Sequence, residues 1–259
     1  MKLKLVKSFW GMEGSLREQM QRIAEAGYVA VEGQHINLGD ADGFLTLRRE
    51  FKLEYVAMIL TDAPNNSVTA HLADMHRKAE ALKCFEPLQI TMHSGRDCWT
   101  WAEQEQFFTE ALELEQRWGI PINHETHRSR AMFTPWTTAA LLRRFPELHI
   151  TADFSHFVNV CERLPEDQAE NLALCIARAR HLHARVGHEQ GPQVNDPRAP
   201  EWSRHLAAHE AWWDEIVRTR LNAGATTFTF NPEFGPPTYM PALPHTQQPV
   251  VNLWEVCLW

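Results

Sequence analysis

The chain is 259 residues long, 44% hydrophobic and 22% charged, with a formal net charge of −8. This suits one large globular domain with a full core, and the acidic balance argues against nucleic acid or an anionic membrane surface as partner, since phosphate binding needs a basic face. The five cysteines (84, 98, 161, 175 and 257) make no CxxC pair, MKLKLVKSFWG lacks the long apolar stretch of a signal peptide, and no apolar run approaches the roughly 20 residues of a membrane helix, so the expectation is a reduced, cytoplasmic protein.

Residues 3–10 alternate weakly and read as a first strand, broken by Gly11 and Gly14. Ser15 caps a helix with Glu18 placed for a capping box, Leu16, Met20, Ile23 and Ala24 recur at helical spacing, and Gly27 ends it. Residues 28–31 form a short buried strand closed by Glu32 and Gly33. A weak helix follows over 42–51, and 53–60 is a third strand, apolar almost throughout as expected for a strand covered on both faces. Pro64, Asn65 and Asn66 make a loop, and Ser67 starts a helix to about Cys84. The fourth strand, 87–95, delivers His93, and a helix over 101–118 stops at Gly119.

Strand five is PINHETHR (121–128), with Glu125 at its exit. Pro135 opens a helix at a position where its missing N–H costs nothing, and Pro146 ends it. Strand six is HITADFSH (149–156), with Asp153 and His156 at its exit. Residues 165–179 are helical, and strand seven (180–186) carries His183, with His181 as the alternative placed on the opposite face. A long polar loop, 187–200, leads to a helix over 202–221 that carries Trp212 and Trp213. That pair suits barrel packing or an oligomer contact, so a homo-oligomer stays open. Strand eight, TFTFNPEFG, delivers Glu233, and the apolar tail 250–259 is expected to pack outside the domain.

Strand and helix alternate eight times, which predicts a (β/α)8 TIM barrel as a single domain over 1–259. A doubly wound sheet would need a phosphate-binding glycine loop after the first strand, and GMEGS matches GxGxxG poorly. In such barrels the chemistry sits at the C-terminal strand ends, where Glu32, His93, Glu125, Asp153, His156, His183 and Glu233 all fall. Several carboxylates converging there repel one another, and a divalent metal resolves the repulsion. Each residue also has a structural reading. Glu125 and Glu233 suit buried ion pairs, Asp153 a cap on the following loop, His183 a hydrogen-bonded core histidine, and Glu32 a fixed point in its turn.

From AEAGYVAVEG (24–33) to NPEFG (231–235) the sequence resembles the xylose-isomerase-like TIM-barrel superfamily of sugar isomerases and epimerases. Ketose 3-epimerases, hydroxypyruvate isomerases, inosose dehydratases and an apurinic endonuclease branch belong to it. The resemblance implies a metal quartet of Glu125 in NHETH, Asp153 in ADFSH, His183 in HLHAR and Glu233 in NPEFG. It also implies a substrate contact for His156. The Gly-Glu-x-Asn-Arg run of ketose epimerases is absent from HARVGHEQGPQVNDPR, whose nearest equivalent arginine is Arg198, beside Asp196. The loop 187–200 is expected to fold over the barrel mouth and bring Arg198 to the substrate. Thr61, Asp62 and Arg198 stand where the endonuclease branch has other ligands, so a three-metal site is not expected.

Three carboxylates and one imidazole suit Mn²⁺, Mg²⁺ or Zn²⁺. The expected activity is isomerisation or epimerisation of a small sugar or polyhydroxy carbonyl compound. It would run through a metal-stabilised enediolate, with Glu125 and Glu233 as acid and base and His93, His156, Arg198 and Glu32 on the substrate side. Alternatives are dehydration of a keto-polyol such as an inosose and a non-catalytic sugar-binding barrel.

Overall fold

In the computed structural model, which describes residues 1–63 and 65–259, eight parallel strands close into a barrel in chain order. Pro64, part of the loop expected there, lies outside the described residues. The strands are β1 (Lys2–Ser8), β2 (Ala30–Gly33), β3 (Glu54–Leu60), β4 (Gln89–His93), β5 (Ile122–Glu125), β6 (His149–Ala152), β7 (Ala179–His183) and β8 (Thr227–Asn231). β8 closes on β1 with Lys2 opposite Thr227 and Leu5 opposite Phe230. Around and over the barrel lie α1 (Leu16–Glu25), α2 (Ala41–Phe51), α3 (Val68–Leu82), α4 (Trp101–Trp118), α5 (Pro135–Arg144), α6 (Ser155–Cys161), α7 (Ala169–Arg178), α8 (Ser203–Asn222) and α9 (Leu253–Leu258). Among the described residues no helix is long and apolar enough to cross a membrane.

The local signals act as their chemistry requires. Ser15 and Glu18 form the capping box of α1. Gly119 ends α4 in the left-handed region at φ 67°, which a residue without a Cβ adopts without strain. The tail docks through α9: Val256 and Cys257 are buried beside Phe234, and the Tyr28 hydroxyl donates to the Cys257 carbonyl at 2.7 Å.

Several strand ends fall short of the sequence expectation, and His181 faces the other way from it. The strand expected over 149–156 stops at Ala152, and α6 begins at Ser155. Asp153 Oδ1 accepts from the Ser155 backbone N–H (3.1 Å) and hydroxyl (2.5 Å), so the capping role open to Asp153 is realised. The helix expected over 165–179 begins with a 3-10 turn, and Ala179 already belongs to β7. His181 does not face away from His183: both rings lie inside the barrel with centroids 5.0 Å apart, because residues two apart on a strand share a face.

The barrel interior is sorted by that alternation. Val6, Ala30 and Val56 form a small apolar cluster inside it. A polar layer of Gln89, Thr91, Thr151 and Thr229 is also buried there, with Gln89 Nε2 donating to Thr229 Oγ1 at 2.9 Å. The outward sides of the strands pack on the helices in the main core, where Phe107, Phe108 and Ile150 are fully buried.

Two histidines of this shell make stability pH-dependent. His124, on the outer side of β5, lies against the Phe108 ring with its Nδ1 2.6 Å from Ser94 Oγ, and burial pushes it down to about 3. His209 on α8 receives the Gly187 N–H at Nε2, and burial pushes it down to about 4. The unfolded chain takes up these protons near pH 6.5 while the folded chain does not. Their contribution is therefore complete above about pH 6.5 and is lost as pH falls toward the folded values, at roughly 1.4 kcal/mol per pH unit per histidine. The urea midpoint is expected to fall clearly between pH 7 and pH 5, with a smaller fall in His209→Asn. Equal midpoints at the two pH values would contradict this.

Candidate metal centre

Glu125 ends β5, Asp153 follows β6 by one residue, His183 ends β7 and Glu233 follows β8 by two. One ligand atom from each lies within 4.8 Å of all the others, and all four residues are buried. His183 Nδ1 is 3.0 Å from Glu233 Oε2 and 3.5 Å from Glu125 Oε1. His183 Nδ1 nevertheless makes no hydrogen bond of good geometry. Three carboxylates and one unengaged imidazole nitrogen enclosed together form a donor set that a divalent cation fits. Burial alone would drive a proton off His183, but Glu233, Glu32 and Glu125 raise its pKa well above the usual imidazole range. The cluster thus draws positive charge to Nδ1.

Glu32 sets that geometry. Its carboxylate accepts from Nε2 of His183 (3.1 Å), Nε2 of His181 (3.2 Å) and Nδ2 of Asn231 (2.6 Å). A carboxylate in this role only accepts, so both imidazoles carry hydrogen on Nε2 and His183 directs Nδ1 at the cluster. Burial pushes Glu32 up, yet the two histidines outweigh it and hold the carboxyl well below its usual range. The substrate-side role expected for Glu32 is therefore corrected. Glu32 is fully enclosed beneath the site and acts on His183.

Arg185, two residues beyond His183, is the cation already present. Its guanidinium donates through Nη2 to Asp153 Oδ2, through Nη1 to the Glu233 carbonyl at 3.1 Å, and lies 3.5 Å from Glu233 Oε2. Asp153 is consequently the most engaged of the four carboxylate and imidazole groups, with Ser155 on one oxygen and Arg185 on the other. Burial, against the pull of Arg185 and helped by Glu125 and Glu233, pushes Asp153 up to about 6.

His156 also differs from expectation. It sits on α6, fully buried behind His127 (ring centroids 3.9 Å apart), with Nε2 3.0 Å from Arg185 Nη2. It braces Arg185 rather than lining the cavity. Arg198 is exposed and folds back on Asp196, to which Nε and Nη2 donate at 2.8 and 2.7 Å. Its loop is held beside the exit of β8, where Gln193 and the Gly235 backbone exchange hydrogen bonds of 3.0 and 2.7 Å. Neither Arg198 nor its loop covers the mouth.

Two of the four, Glu125 and Glu233, line a cavity of about 680 Å³, a volume suited to a small molecule. His93 lies on it with Nε2 2.5 Å from Glu125 Oε2, and His127 packs against His93 at 4.4 Å between centroids. Burial pushes Glu125 up, but His93 and His183 reverse that and hold it well below the usual carboxylate range, so it is ionised. Trp10 and Tyr239 form an aromatic rim in edge contact at 4.8 Å, and Arg130 completes the polar side.

No protein-family model matches the chain, and no curated protein matches it in sequence. Solved structures do match it in fold. One is the probable 3-DHS dehydratase AsbF of Bacillus anthracis, with TM-score 0.63 and 17% identity over 90% of this chain and 93% of that one. Another is D-allulose 3-epimerase of Methylomonas sp., with TM-score 0.59 and 16% identity over 100% and 91%. A third is a xylose isomerase-like TIM barrel fused to a 4-hydroxyphenylpyruvate dioxygenase, with TM-score 0.61 and 16% identity over 92% of this chain and 41% of the fusion. The chain has the xylose isomerase-like TIM-barrel fold.

Within this barrel, sequence reasoning passed over His127, Arg130, Arg185 and Tyr239. A signal existed for two of them. His127 and Arg185 each follow a strand-end candidate, Glu125 and His183, by two residues, so they continue the inward parity. Arg130 and Tyr239 come from loops, where no such parity applies.

Proposed function

We propose that this protein is a divalent-metal-dependent isomerase or epimerase of a small sugar or related polyhydroxy carbonyl compound. The observation that carries this reading is the buried convergence of Glu125, Asp153, His183 and Glu233 at the strand ends, with His183 Nδ1 unengaged and with Glu125 and Glu233 lining a cavity. The fold neighbours named above, an epimerase and a dehydratase by their descriptions, support it at the level of fold.

A Mn²⁺, Mg²⁺ or Zn²⁺ ion held by those four residues supplies Lewis-acid polarisation of a substrate carbonyl when bound. Glu125, ionised beside His93, takes the proton from the carbon next to the carbonyl, Glu233 in its protonated form gives one to the enediolate, and the site resets as Glu125 releases its proton to solvent and Glu233 takes one up. His93 donates to the developing oxyanion. Glu32 holds the His183 ring, Arg185 fixes Asp153, and Trp10 and Tyr239 limit water at the reacting carbon. A dehydratase would share the first proton transfer and then expel hydroxide. Its product would be an unsaturated carbonyl compound with new ultraviolet absorbance.

Protein purified without chelators is expected to hold about one divalent ion per chain by elemental analysis. Its removal should lower the melting temperature, because three buried carboxylates lose a counter-charge. Protein that purifies without metal and takes none up from Mn²⁺, Mg²⁺ or Zn²⁺ would favour a non-catalytic sugar-binding barrel.

A further inference from the structure

We infer that the substrate carries a carboxylate and that Arg130 binds it; this rests on the reading of the site as one that enolises a carbonyl compound. Arg130 follows β5 in a turn fixed by its own N–H to the His127 carbonyl (3.2 Å) and by the Ala131 N–H to the Ser94 carbonyl (3.0 Å). Its side chain is 8% exposed and lines the same cavity as Glu125, Glu233 and His93. Nη1 donates to the Thr61 carbonyl at 2.6 Å. Nε is buried without a partner, and among the described residues no carboxylate pairs with the guanidinium.

An enclosed guanidinium that Asp62, Glu125 and Asp97 reach only at longer range, with none of them at ion-pair distance, is costly. Arg185, the other arginine on this cavity, has Asp153 and Glu233. The anchor on Thr61 leaves Arg130 its Nε–Nη2 edge, the fork that grips a carboxylate through two parallel hydrogen bonds. A sugar hydroxyl would use one of those donors and leave the charge unmatched. A dianionic phosphate would bring a second negative charge into a cavity that already holds Glu125 and Glu233. A single carboxylate satisfies both the charge and the fork.

The test compares D-fructose, D-fructuronate (the same ketose with a terminal carboxylate) and D-fructose 6-phosphate, by calorimetric binding to the metal-supplemented protein. Fructuronate is expected to bind at least about tenfold more tightly than fructose, the scale of a hydrogen bond to a charged group. Arg130→Met should abolish that preference, read as the ratio of fructuronate to fructose affinity within the same variant. Arg130→Lys keeps the charge but not the fork, so it should lose most of the preference and serves if the Met variant misfolds. Equal binding of fructose and fructuronate, no binding of fructuronate, or a preference that survives Arg130→Met would overturn the assignment. Tighter binding of the phosphate would overturn the choice of carboxylate. Carbon–hydrogen exchange in deuterated water separates the two layers. Exchange without an acid preference sinks the Arg130 site alone, whereas a preference lost in Arg130→Met without exchange in any ketose sinks the enolisation reading alone.

Discussion

Glu125→Gln and Glu233→Gln are each expected to lower turnover by about 10²-fold or more, the range for a general acid or base. Glutamine keeps the shape and one ligand oxygen of each carboxylate but removes its basicity. The effect should fall on kcat, since proton transfer occurs in the transition state. Both residues belong to the proposed ligand set, so metal content is measured alongside turnover to separate a lost base from a lost ion. With wild-type protein in deuterated water, deuterium should enter the product at the carbon next to the carbonyl. Turnover without solvent label would point to an intramolecular hydride shift, and near-normal turnover of both variants with metal retained would remove the two-glutamate mechanism.

The second large effect is on stability. Arg185→Met is expected to destabilise the fold by about 3–5 kcal/mol, because it leaves Asp153 buried without its cation. Lysine restores the charge but not the two-pronged reach to Asp153 and the Glu233 carbonyl, so Arg185→Lys should recover only part of the loss. Urea midpoints measure both. Adding Asp153→Asn to Arg185→Met should cost less than the sum of the single changes, since the two groups act on one contact. Additive losses, or a midpoint for Arg185→Met close to wild type, would show that the pair contributes little.

The residues that end β5, β7 and β8 show how far local pattern reaches. Apolar runs broken by Gly and Pro, each followed by a helix with its own cap, suffice to specify eight βα units. A period of two along each strand then puts Glu125 and His183 at strand exits on one face. That is why the barrel and the gathering of candidate ligands at the strand ends were legible from local pattern, while the choice of Glu125, Asp153, His183 and Glu233 among them was implied by the family resemblance. Which further side chains meet them was not legible, because it depends on contacts between distant segments. Glu32 and His183 are joined across the barrel interior, Arg185 chooses Asp153 over solvent, and His156 is turned inward by α6. Arg198 shows the converse. Its sequence position beside the strand-seven loop suggested a ligand, but Asp196 two residues away captures its guanidinium at the surface. Arg130, by contrast, is drawn under the rim by the Thr61 carbonyl of a different loop. Spacing along the chain thus determined which residues arrive at the mouth of the barrel. Only the packing of loops decided which charges were neutralised there and which was left for a ligand, because Coulombic and hydrogen-bond partners are fixed by distance in space.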